Sequence, residues 1–156
     1  MKLVALAVAA LAISFAADAA EKSADAAQAY LPGLGEIMSA TQMRHAKIWF
    51  AGKAGNWELA HYELDEIREG LDDAVKFHPV FKNVPVSAML DQLTAQPLAD
   101  LDAAIAAKDS AGFRKAFDSL TGACNACHRA AGHGYIVIKR PGASPFSNQA
   151  FTPETR

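Results

Sequence analysis

The chain is 156 residues long, 51% hydrophobic and 21% charged, with 15 basic against 17 acidic residues and a net charge of -2. That length allows one ordinary globular domain, and the near-neutral balance excludes a strongly basic nucleic-acid binder and a polyampholyte tail. The two cysteines, Cys124 and Cys127, sit three residues apart in the run Cys124-Asn125-Ala126-Cys127-His128, and that spacing carries more information than their number.

Residues 1–19 have the pattern of a secretory signal peptide. Lys2 supplies a short positive region, Leu3 to Ala17 is an uninterrupted run of apolar and small residues, and Ala17-Asp18-Ala19 places small residues where a signal peptidase reads. Cleavage is expected after Ala19. The run is shorter than the roughly 20 residues needed to cross a bilayer, and no second one of that length follows, so no membrane insertion is expected after signal removal. The expected compartment is the bacterial periplasm, which sets the redox environment of the cysteines. The mature chain is then expected to hold a four-helix domain over 20–132 and a tail over 133–156 packed on it.

Alanine makes up about a fifth of the chain, and few β-branched residues interrupt it before Ile136-Val137-Ile138, a composition that favours helix. Leu34, Ile37, Met38, Thr41, His45, Ile48 and Trp49 recur at helical spacing, with Gly52 and Gly55 expected to close this first helix. Asn56 is an N-cap for a second helix with Trp57, Ala60, Leu64, Ile67, Leu71 and Val75 on its inner face and Glu58, Asp65, Glu69 and Asp72 opposite. It should stop near His78, before Pro79. From Val86 to Ala107 the apolar spacing continues, but Pro97 predicts either a break after Ala95 or a kink. Asp109 or Ser110 caps a fourth helix whose inner stripe runs Phe113, Phe117, Leu120, Cys124, Cys127 and His128 and ends near Gly132. The tail beyond it, punctuated by Pro141, Pro145 and Pro153, is expected to wrap the surface without a further helix. Four amphipathic helices with short links predict an all-α, antiparallel four-helix bundle.

Cys-x-x-Cys-His is the attachment signature of a covalently bound c-type haem. Residues i, i+3 and i+4 share one helix face, so Cys124, Cys127 and His128 can present two sulfurs and an imidazole to one flat group. The thiols would add across the two vinyl groups as thioethers, and the imidazole would reach the iron from one side. A zinc site would crowd four ligands, with His133 as the fourth, into a single short segment. A thioredoxin-like pair would want a βαβ context, and a disulfide within one continuous helix is sterically poor.

The motif lies near the C-terminal end, and no methionine follows it, the four being Met1, Met38, Met43 and Met89. That excludes the architecture of the familiar small cytochromes c, whose motif is N-terminal with a ligand methionine downstream. On the motif and its place on the last of four helices, the chain resembles the cytochrome c-prime family, the class II c-type cytochromes. The resemblance implies one covalent haem c per chain, Cys124 and Cys127 as thioether anchors, His128 as the proximal iron ligand, and a distal side formed by the first helix. In low-spin members a methionine of that helix closes the sixth position. Met38 is the first candidate for it here, with His45 as a rival and an empty site as the third option. Homodimers through the first two helices are common in that family.

Two departures from the family pattern stand out. Gly132 occupies the position four residues after the proximal histidine where many members have arginine, and the chain continues through Tyr135-Ile136-Val137-Ile138-Lys139-Arg140. One expectation is that this tail covers a haem edge, with Lys139 or Arg140 against a propionate; the other is an apolar strap over the bundle.

The leading expectation for function is electron transfer to an unknown redox partner, without enzyme activity. A five-coordinate haem protein binding nitric oxide or carbon monoxide is the alternative, and a non-haem metal-binding bundle is a third. Glu58-x-x-His61 matches a di-iron element only once, although His45, His61 and Glu63 together would make an accessory metal site. Trp49 and Trp57 are expected to pack between the first two helices.

Overall fold

The computed structural model describes residues 30–154, so the expected signal peptide lies outside the described residues. Gly33–Arg156 forms one unit, built from α1 (Leu34–Lys53), α2 (Trp57–Phe77), α3 (Val86–Ala106) and α4 (Ser110–Ala130). Short links make consecutive helices antiparallel neighbours in an up-down-up-down bundle. Among the described residues there is no strand, only an isolated bridge between Phe81 and Val84 in the α2–α3 link. No described helix is long and apolar enough to cross a membrane.

The helix ends follow from local chemistry. The Asn56 side chain accepts from the Leu59 backbone N–H at 3.2 Å, and Asp109 accepts from Ala111 N–H at 2.9 Å, each satisfying an orphan donor of the first turn for about 1 kcal/mol. α1 and α4 both stop in a Schellman arrangement around a glycine of positive φ, Gly55 and Gly132. At the second of these, His133 N–H donates to His128 C=O at 2.7 Å and Gly132 N–H to Arg129 C=O at 3.1 Å.

Of the two alternatives for Pro97 the break after Ala95 does not occur, because one helix runs through it from Val86 to Ala106. Leu90, Thr94, Leu101 and Ile105 on both sides of the proline are buried on one face, and that packing outweighs the lost backbone hydrogen bond. Gly52 does not close α1 but lies buried within it, where the Phe113 ring of α4 occupies the space a Cβ would need.

The bundle interior falls into two apolar clusters. The larger one gathers Ile48, Trp49, Leu64, Leu101, Phe113, Phe117 and Leu120 from all four helices. The smaller one, at the end where α1 begins and α4 finishes, centres on Ile37, Ala74, Val86 and Leu90, with Met38, Phe77 and Phe81 packed against it. The tryptophans do not simply sit between α1 and α2. Trp49 lies 4.9 Å from the Phe117 ring and Trp57 edge-on at 5.9 Å from Phe113, so both reach α4. α1 packs extensively on α2, as α3 does on α4, whereas α1 and α4 touch least of the neighbouring pairs.

Overpacking a tight interior costs about 1–3 kcal/mol, partly offset here by the roughly 1 kcal/mol that alanine gains over glycine in a helix. Gly52→Ala is therefore expected to lose up to about 2 kcal/mol net, measured as a lower urea midpoint at unchanged slope. Unchanged stability would mean that Phe113 has room to retreat.

Candidate functional site

The last turns of α4 carry the motif. Cys124 and Cys127 are both free thiols, partly buried, on successive turns of one continuous helix that extends to Ala130. Burial, reinforced by the neighbouring Cys127, pushes the Cys124 thiol up to about 11, and burial raises Cys127 as well. These are protonated thiols, unlike the acidified cysteine that a thiol–disulfide exchange pair uses as its nucleophile. Among the described residues no three His, Cys, Asp or Glu side chains gather as ligands for one metal ion.

His128 is held by the tail. Its Nδ1 lies 2.9 Å from the Ile136 carbonyl oxygen, and a carbonyl only accepts, so Nδ1 carries the proton and the Nε2 lone pair is left available. This is the tautomer a metal-ligating histidine needs, with the second nitrogen fixed by an outer acceptor.

His45, the rival ligand, is buried with its Nε2 engaged by α4. It is 4% exposed, its ring lies 4.3 Å from that of Phe117, and its Nε2 is 2.9 Å from Thr121 Oγ1. The Thr121 hydroxyl donates its one proton to the Phe117 carbonyl at 2.8 Å. His45 must therefore donate from Nε2, and that nitrogen has no lone pair to offer a metal. Burial lowers its pKa to about 4, so the ring is neutral at pH 7.

His45 against Thr121 and Trp49 against Phe117 set the antiparallel register of α1 on α4. Met38 lies seven residues before His45, on the same stripe of α1, and His128 lies seven residues after Thr121 on α4. Met38 packs against the smaller apolar cluster at this end of the bundle, whereas Met43 is 40% exposed.

The accessory metal site does not assemble. His45 pairs with Thr121, His61 lies on the surface 3.2 Å from Asp65, and buried Glu63 takes Arg44 at 3.3 Å. Glu63, which the sequence offers only as a possible metal ligand, falls between two inner-stripe residues, Ala60 and Leu64, and its burial against Arg44 is unexpected. Burial raises its pKa and the Arg44 charge opposes that rise. Arg44 also bonds Glu66 at 2.7 Å and so bridges α1 to α2.

The tail is held mainly by polar contacts. Arg140 is paired with Asp118 of α4 through two hydrogen bonds, one of 2.6 Å, and its guanidinium lies 4.8 Å from the Trp49 ring of α1. Its charge is thus already met by a carboxylate of the chain. Nor is the tail an apolar strap, because Tyr135 and Val137 are 78% and 70% exposed. It is held by polar contacts and, further on, by Phe151 against Phe50 at 5.3 Å. Comparison with protein-family models, curated proteins and solved structures gives no match.

An unfolded histidine takes up a proton near pH 6.5, whereas folded His45 does so only near 4. Its contribution is full above the unfolded value and is lost as pH falls from about 6.5 toward 4, by about 3 kcal/mol in all. Urea midpoints at pH 7 and pH 4.5 should show this fall in the parent and a smaller one in His45→Phe. Equal falls in the two proteins would place the titration elsewhere.

Proposed function

We propose that this chain is an exported c-type cytochrome that holds one covalent haem and transfers single electrons. The observation that carries this reading is the Cys124-x-x-Cys127-His128 motif on one uninterrupted helix, with the His128 Nδ1–H tied to Ile136 and Nε2 left for a metal. The residues fit the group: two free thiols to anchor it and an imidazole in the ligating tautomer. Bound there, haem supplies a one-electron ferric/ferrous couple. Cys124 and Cys127 would hold it, with His128 as the proximal ligand and Met38, which the α1–α4 register pairs with His128, as the sixth. That α1 and α4 touch least of the neighbouring pairs favours this placement, since a flat group between them displaces the fewest existing contacts.

On this reading the partner is a basic redox protein that meets the exposed acidic residues Glu58, Glu69 and Asp72 of α2. Encounters of that kind are small and weaken with salt. A second reading, a five-coordinate haem protein that takes nitric oxide or carbon monoxide, draws on the apolar packing of Met38. If that packing keeps the thioether from the iron, the distal side is apolar and open.

Expression with a c-type maturation system and acid-acetone extraction provide the test. Haem should stay with the parent protein and be released from the Cys124→Ala, Cys127→Ala double variant. The ferrous parent should be low-spin, and Met38→Ala should turn it high-spin with ready uptake of carbon monoxide. A parent already high-spin would favour the gas-binding reading, and one that retains no haem would end both.

A further inference from the structure

The motif's own interior residue, Asn125, makes two hydrogen bonds that haem attachment does not call for. Its Nδ2 donates to the Ile138 carbonyl at 2.8 Å, and its Oδ1 accepts from the Ile138 N–H at 2.7 Å. The side-chain amide thus pairs with the tail as a neighbouring strand would. Two residues earlier in the tail, the Ile136 carbonyl accepts from His128, and two residues later Arg140 is fastened to Asp118. Gly132 starts this course by turning the chain back at φ +77°, so that residues 133–140 run antiparallel to α4. Because Tyr135, Ile136 and Val137 are all exposed, burial does little to hold the segment here. Its place beside the motif is set by the Asn125 pair, the His128 bond and the Arg140 anchor.

We propose that residues 133–140 are a positioning strap for the proximal imidazole, clamped by Asn125 between the two motif cysteines so that the Ile136 carbonyl holds the His128 Nδ1–H. The inference rests on His128 being the iron ligand. A carbonyl acceptor on Nδ1–H fixes the ring plane and strengthens electron donation from Nε2, which favours the ferric state. Asn125 acts through the strap and touches neither the iron nor a reacting atom, so it is a positioning residue.

The test uses haem-loaded full-length protein carrying Asn125→Ala, a neutral change to a good helix former. The midpoint potential is expected to rise, the ferric/ferrous equilibrium moving toward ferrous on the order of tenfold, or about 59 mV for one electron. In a Met38→Ala background, where His128 is the one axial protein ligand to ferrous iron, the iron–histidine stretching band should fall in frequency. A merely structural role for Asn125 would lower the unfolding midpoint and leave that band in place. Asn125→Ser, which also lacks the amide pair, supplies the same readouts if the alanine variant does not fold. Covalent haem with unchanged potential and unchanged band in the variant would overturn the strap while leaving the cytochrome reading intact. A parent without covalent haem would remove that reading and the strap with it.

Discussion

The seam between the first and last helices depends on one buried hydrogen bond. His45 and Thr121 meet at 2.9 Å where apolar packing surrounds them on both sides. Apolar contacts alone tolerate sliding, since a leucine or phenylalanine finds adequate neighbours one turn away. A buried imidazole does not, because losing its partner costs about 1–3 kcal/mol. With the Thr121 proton spent on the Phe117 carbonyl, only His45 can donate in this pair. The bond therefore specifies both register and tautomer. The register puts Met38 and His128 each seven residues beyond this pair on their helices, and the tautomer leaves His45 no lone pair at Nε2, the nitrogen that meets α4.

The elements most legible in the sequence are those whose ends are written in local chemistry. Asn56 and Asp109 cap α2 and α4, and Gly55 and Gly132 terminate α1 and α4, because each satisfies groups only a few residues away. What the pattern misplaced was settled across the bundle. Pro97 obeys a local rule that the packing of Leu90, Leu101 and Ile105 overrides. Gly52 has the look of a stop signal, but its role is defined by Phe113, 61 residues away in the chain, whose ring lies against it. Glu63 is an acid on the inner face, which a hydrophobic stripe cannot announce, and its partner Arg44 belongs to another helix.

The same division runs through the candidate site. Cys124, Cys127 and His128 are legible because the chemistry they suggest needs only the geometry of a single helix turn. The tail is different. Its apolar residues suggest a segment that covers the bundle, yet Tyr135 and Val137 face solvent while the backbone of residues 136 and 138 makes the contacts. Backbone donors and acceptors are identical at every position, so such a contact leaves no compositional trace. Only Asn125, a polar residue between two cysteines, marks its place. Arg140 likewise has the charge expected for an anionic ligand, but Asp118 already satisfies it through two hydrogen bonds.

Gly132 connects these observations. It stands where the family that the motif resembles often has an arginine, and it stands at φ +77°, a conformation that L side chains enter only at a cost of about 1 kcal/mol or more. An arginine there would tend to continue the helix and carry the chain away from the motif. With glycine, α4 ends at Ala130, the His133 N–H closes onto the His128 carbonyl at 2.7 Å, and the chain reverses. Both polar ends of His128 are then engaged by the segment that follows it, the carbonyl by His133 and the ring by Ile136. The departure from the family pattern and the extra length of chain are thus one feature: the glycine makes the turn, and the tail supplies the acceptor that the turn brings back to the imidazole.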